Sequence, residues 1–204
     1  MALIRKRKAS GTSSTKKKTR TITKYTIDGI NYKSKQLVEL HSEWKKNKLI
    51  KSFKLPSIED EKIYRNKKFG AKKCVVNGIE FDSIMEAKFY IFLLGQKKEK
   101  LIKDFNMQVP FVLMDKYKNK FTGKMVREIK YLADFVIDET DGSQTAIDVK
   151  GIETPEFKIK AKLFGSRYPD IQFMCVQWSD KYGKRWIELE ELKALRKENK
   201  KGKK

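Results

Sequence analysis

The chain has 204 residues, 39% of them hydrophobic, and a formal net charge of +22, enough length for one packed domain with appendages. Cys74 and Cys175 form no CxxC pair, which gives no support to a zinc ribbon or a disulfide framework, and His41 is the sole histidine, which excludes a two-histidine zinc site. The longest apolar run, 89–94, is too short to cross a bilayer, and the basic opening stretch lacks the apolar centre of a secretory signal. The expectation is a cytoplasmic protein with no membrane partner.

Charge is concentrated at the ends. Residues 1–20 carry eight basic side chains and no acid, and residues 193–204 carry seven basic side chains and one acid. Residues 1–22 read as a disordered basic arm and 193–204 as a basic C-terminal tail. The body between is still positive, which suits a polyanion, nucleic acid first.

After the arm, TIDGINYKSKQLVELHSEWKKNKLIKSF from Thr26 is closely repeated by VVNGIEFDSIMEAKFYIFLLGQKKEKLIKDF from Val75. Gly29 matches Gly78, Ser34 matches Ser83 and the LIKSF and LIKDF ends align, so a hairpin–helix unit is present twice. The first copy, within 23–70, is expected as an appendage joined by the charged stretch 57–73 to a main domain over 71–192. In the second copy Asn77-Gly78 signals a two-residue hairpin. Ser83 fits a helix cap ahead of an apolar stripe of Met85, Phe89, Phe92 and Leu93. Strands follow near 108–114, 127–138 and 145–150. A helix begins at Thr154-Pro155 and runs to Arg167, then come a buried strand at 171–177 and a last helix over 187–197. His41 reads as a surface or partly buried residue of a helix. The pattern predicts an α/β fold around one mixed central sheet flanked by helices.

Asp148 and Lys150 are two apart on a strand with apolar flanks, so both leave one face of the sheet. Asp134 lies among apolar residues on the neighbouring strand. Two carboxylates side by side among apolar neighbours are costly, and a divalent cation removes the penalty; oxygen ligands favour Mg²⁺ or Mn²⁺.

At GIEFDSIMEAKFY, FNMQVPFVL, IKYLADFVID, TAIDVKG and TPEFKIKAKLFGSRYPD the sequence resembles the PD-(D/E)XK nuclease superfamily, closest to a poorly characterised phage-associated branch. The resemblance covers about residues 71–178 and departs from the name in having Ala133 before Asp134. It implies a restriction-endonuclease-like core and a metal site of Glu86, Asp134 and Asp148, with Lys150 assisting catalysis. It also implies a Mg²⁺-dependent DNA endonuclease, structure-specific in phage recombination, replication or packaging, and acting in the bacterial host cytoplasm if phage-encoded. Gln108 resembles a glutamine common in that branch and is a substrate-binding candidate. Lys160 and Arg167, seven apart on the helix after the site, are candidates for the DNA backbone. Homodimerisation is left open. The alternative expectation is an inactive nucleic-acid-binding protein that keeps a nuclease-like fold.

Each residue also has a plainer role open to it. Ser83-x-x-Glu86 is a capping box, Asp134 a strand-edge charge, and Asp148 with Lys150 a surface ion pair. The first copy has Leu37 where the second has Glu86, so it keeps the helix start without the acid and is expected to lack a metal site.

Overall fold

The computed structural model describes residues 25–58, 73–149 and 153–201. The basic arm, most of the 57–73 connection and Lys150 lie outside the described residues.

Both hairpin–helix copies form as the repeat predicts. The first is β1 (Tyr25–Ile27), β2 (Ile30–Tyr32) and α1 (Lys35–Lys46); the second is β4 (Cys74–Val76), β5 (Ile79–Phe81) and α2 (Ile84–Lys98). Asp28-Gly29 and Asn77-Gly78 take positive φ at all four positions, the backbone that matches a two-residue turn to strand twist. Ser34 and Ser83 are extended N-caps whose hydroxyls accept the backbone N–H of Leu37 and Glu86.

The first copy is more than an appendage. Its exit strand β3 (Phe53–Lys54) pairs antiparallel with β4, and the Asn77 side chain accepts Lys51 N–H at 2.7 Å and donates to the Leu49 carbonyl at 3.2 Å. Leu37, Leu40, Trp44 and Leu55 join α2 in one apolar core. His41, expected near the surface, is buried there. Its Nε2–H donates to Asp28 at 3.0 Å, and its Nδ1 is hydrogen-bonded to the Tyr32 hydroxyl at 2.9 Å.

The mixed central sheet has five strands. These are β6 (Asp104–Met114), β9 (Ile129–Asp138), β10 (Gln144–Val149), β11 (Ile171–Ser179) and β12 (Arg185–Glu188), in the order β12-β11-β10-β9-β6. Only β10 and β11 run parallel; the other neighbours are antiparallel. The parallel step needs a crossover, which α3 (Pro155–Arg167) supplies. Thr154 caps it and Pro155 occupies its first turn, as the sequence predicts. A small hairpin, β7 (Tyr117–Lys118) with β8 (Met125–Val126), extends from β6 and β9 as a separate sheet.

One boundary and one burial pattern differ from expectation. Arg185–Glu188 is a strand, so the last helix, α4, runs over Leu189–Lys201 and takes in most of the expected basic tail. On α2 the buried residues are Ala87, Phe89, Tyr90, Ile91 and Leu93. Phe92, expected in the core stripe, is 40% exposed. Helix α2 is covered on more than one side, so its burial does not follow a single stripe.

Two clusters pack against the sheet. One gathers α1, α2, Phe135, Ile137 and Ile147; the other gathers α3, α4, Phe111, Tyr131, Ala133, Ala146 and Cys175. Residues two apart on a regular strand share a face. Yet Phe105 and Met107 pack with the first cluster whereas Val109, Phe111 and Leu113 pack with the second. On β9, Tyr131 and Ala133 belong to the second cluster, and Phe135 and Ile137 to the first. Both strands therefore turn over at Gln108 and Asp134, and Gln108 takes φ +52°.

Candidate active site

This turning point is where the acidic residues gather. Gln108 stands opposite Asp134, between the pairs Met107–Phe135 and Val109–Ala133, and its side-chain amide donates to Asp134 Oδ1 at 3.5 Å. Registered pairing of β9 with β10 stops at Phe135–Ile147. One step beyond, Asp134 Oδ2 accepts the backbone N–H of Val149 at 2.8 Å. A side chain thus takes over a ladder bond at the strand end and fixes the carboxylate against the end of β10.

Asp148 is 2% exposed, so it is no surface ion-pair residue. Tyr131 donates its hydroxyl to Oδ1 at 2.5 Å, and the Cys175 thiol lies 3.8 Å from Oδ2. Asp148 and Cys175 are register partners on the parallel pair. Burial pushes the Tyr131 phenol upward, and the charge and hydrogen bond of Asp148 push it further. Tyr131 therefore stays protonated and donating across the physiological range.

Glu86 enters from the start of α2. Ser83 caps the helix as expected: its Oγ accepts Glu86 N–H at 3.1 Å and donates to Glu86 Oε1 at 2.7 Å. Capping does not account for the electrostatics. Burial raises the Glu86 pKa first, the Ser83 hydroxyl opposes it, and the charges of Asp82 and Asp148 raise it again. Nearby, burial pushes the Cys74 thiol up to about 12, with a smaller push from Glu86.

Glu86, Asp134 and Gln108 line one cleft of about 210 Å³, with Lys73, Glu80 and Asp82 also on its wall. Lys73 pairs with Glu80 and Asp82. Ser83 donates to Glu86, Gln108 and Val149 to Asp134, and Tyr131 and Cys175 to Asp148. Asp148 does not line the cleft; its carboxylate faces Tyr131 and Cys175. Among the described residues, no three His, Cys, Asp or Glu side chains converge closely enough to grip one cation as they stand. The donor set nevertheless fits a hard divalent cation. It is all oxygen, and the Glu86 carboxyl is raised first by burial and then by the charges of Asp82 and Asp148.

Of the expected substrate contacts, Gln108 is at the site. Lys160 and Arg167 lie on α3, Lys160 paired with Glu156 at 2.8 Å and Arg167 with Asp115 at 2.7 Å. Sequence reasoning missed Tyr131 and Cys175. The Asp148–Cys175 pairing is the signal that could have found Cys175, and it requires the β10–β11 register.

The fold and site define a mixed α/β protein with an acidic cleft where β6 and β9 turn over, beside the end of β10. Residues 66–184 match the family described as "Protein of unknown function (DUF1064)", and the chain belongs to that family. No curated protein and no solved structure matches it. No helix among the described residues is long and apolar enough to cross a membrane.

Proposed function

We propose that the protein is a Mg²⁺- or Mn²⁺-dependent DNA endonuclease with a PD-(D/E)XK, restriction-endonuclease-like core. The reading is carried by Glu86 and Asp134 on the wall of one cleft, from a helix start and a strand that turns over there, with Asp148 on the adjacent strand near enough for its charge to raise the Glu86 carboxyl. A structural role gives no reason to keep a half-buried Glu86 and a buried Asp148 within reach of each other's charge beside Asp134 in so basic a protein, because their repulsion opposes folding.

Glu86, Asp134 and Asp148 would hold the cation, which when bound supplies charge stabilisation at a phosphodiester and a more acidic water. The chain's own groups keep the carboxylates in place. Ser83 orients Glu86, the Val149 N–H fixes Asp134, and Tyr131 prevents Asp148 from turning freely. Lys150, next after Val149, is assigned to the attacking water or the developing charge; a lysine ammonium suits this point-charge role. Gln108, on the cleft wall beside Asp134, is assigned a contact to substrate.

The test is cleavage of linear, nicked, flapped and four-way-junction DNA by the purified full chain in Mg²⁺ and in EDTA. Cleavage is expected in Mg²⁺ alone. Asp148→Asn and Lys150→Ala should each abolish it while leaving DNA affinity nearly unchanged. DNA binding without cleavage of any substrate in Mg²⁺ or Mn²⁺ would reject the nuclease in favour of an inactive DNA-binding protein.

A further inference from the structure

The β7–β8 hairpin grows from the two strands that carry Gln108 and Asp134, and it combines features the cleft does not use. Between residues 116 and 127 it holds Lys116, Lys118, Lys120, Lys124 and Arg127 and no acid. The flanking acids are engaged elsewhere, Asp115 with Arg167 and Glu128 with Lys130 at 2.7 Å. At its tip Phe121 is fully exposed, and Tyr117 and Met125 are 48% and 61% exposed.

The tip is built, not loose. Asn119 Oδ1 accepts the backbone N–H groups of Phe121 and Thr122 at 2.9 and 3.0 Å. The Asn119 backbone bonds to Lys124 and Gly123, each at 2.8 Å. Gly123 takes the positive φ, +67°, that closes the loop. Phe121 is thus held outward on an ordered turn, so little freedom remains to be lost when it meets a partner.

We propose that this hairpin is a DNA-reading element in which Phe121 stacks on, or wedges beside, a base exposed at an interrupted or unpaired step, while the surrounding lysines hold the phosphates. Charge selects the partner: a run of basic side chains free of acids fits a phosphate backbone, and an aromatic ring beside it fits the π-face of a base. An acidic protein surface would match the lysines but gives no role to a lone projecting ring. The inference rests on the reading of this protein as one that acts on DNA, and it names the substrate class: DNA with a gap, nick or branch in preference to continuous duplex. The strands β6 and β9 would then connect the reading tip to the cleft as one continuous ribbon.

The experiment is equilibrium binding by the full chain in EDTA, so that no cleavage is involved. The probes are a labelled duplex with a short single-stranded gap and the same duplex fully paired. Phe121→Ala should bind the gapped probe about tenfold more weakly and the paired probe as before, and Phe121→Trp should keep the preference. Combined Lys118→Ala, Lys120→Ala and Lys124→Ala should weaken both probes and lower the salt slope by roughly two to three. The inference is overturned if Phe121→Ala binds the gapped probe like the wild type or loses affinity equally for both. It is also overturned if sedimentation shows that Phe121→Ala splits a dimer, which would make the tip a self-association surface. A gap preference that depends on Phe121 in a protein that cleaves nothing would leave the hairpin assignment standing and remove the nuclease. Asp148-dependent cleavage with no effect of Phe121 on binding would do the reverse.

Discussion

In the first hairpin–helix copy Asp28-Gly29 closes the turn, Ser34 caps α1, and the third residue after the cap is Leu37, buried in the core. In the second, Asn77-Gly78 closes the turn, Ser83 caps α2, and that residue is Glu86 on the wall of the cleft. The backbones at the two caps agree within a few degrees, with φ and ψ of −140° and 148° against −142° and 152°. The scaffold was thus kept while its use divided. The first copy turns its polar groups inward, where His41 links Tyr32 to Asp28; the second has Phe81 and Tyr90 at the corresponding places and directs its acid outward. A helix start is a favourable place for a carboxylate because of the helix dipole and the free N–H groups. Whether that carboxylate becomes part of a site depends on what the sheet brings to meet it.

The largest test of this division exchanges the two contrasting residues for neutral ones. Glu86→Gln keeps the shape and the capping capacity. It should nevertheless lower Mg²⁺-dependent cleavage on the order of a hundredfold or more, with partial recovery at higher Mg²⁺. Leu37→Ala should cost about 2–5 kcal/mol of stability and leave cleavage by the folded fraction unchanged. Rate measurements at several metal concentrations, paired with denaturant melts, read both. A Glu86→Gln protein with normal rate and metal dependence would reduce the second copy to a capped helix start like the first.

A smaller effect concerns stability and pH. The Glu86 carboxyl is raised, chiefly by burial, so the folded protein binds that proton more tightly than the unfolded chain does. Stability therefore falls as pH rises through the raised value, and the penalty disappears as pH drops into the ordinary carboxylate range. Glu86→Gln should melt higher than the wild type at neutral pH, by on the order of a few degrees, with the gap closing on acidification. Mg²⁺ should raise the wild-type melting temperature more than the variant's. In the first copy the sign is reversed. Asp28 is held low by Lys45 and His41, so its contribution is present at neutral pH and is lost below the ordinary carboxylate range. Melting curves across pH for Glu86→Gln and Asp28→Asn should diverge in opposite directions, and parallel curves would remove the electrostatic contrast.

The repeat, its turns and both caps were legible because they depend on local chemistry: positive φ at Asn-Gly or Asp-Gly, and a hydroxyl before a helix. The Thr154-Pro155 helix start was legible for the same reason. The turnover of β6 and β9 was not. Phe105, Met107, Val109, Phe111 and Leu113 alternate without a break, as do Tyr131, Ala133, Phe135 and Ile137, so the residue types read as one continuous face. Nothing local marks Gln108 as the point of inversion; the packing of helices on opposite sides decides it. Asp148 could be singled out as a charge among apolar neighbours, but its bond to Tyr131 depends on how β9 and β10 separate, which no spacing encodes. The strand at Arg185–Glu188 was missed because four residues beside a helix carry too little periodicity to distinguish the two.

The smallest expected effect separates the two caps themselves. Ser34→Ala and Ser83→Ala each remove a hydroxyl that accepts a helix N–H, at 3.4 and 3.1 Å, and each should cost about 1 kcal/mol. Stability alone will not distinguish them. Ser83 also donates to Glu86 Oε1 at 2.7 Å, and that bond holds the carboxyl down against the upward push of burial. Without it, Glu86 rises further. If cleavage requires ionised Glu86, the acid limb of the rate–pH profile must then move to higher pH. Ser83→Thr, which keeps a hydroxyl, should return the limb to its original position. The first copy has no carboxyl at Leu37, so Ser34→Ala should lose the same stability with the limb unmoved. Rate profiles at saturating Mg²⁺ for the three variants decide the matter. Superimposable limbs for Ser83→Ala and Ser34→Ala would mean that the Ser83–Glu86 bond serves the helix alone.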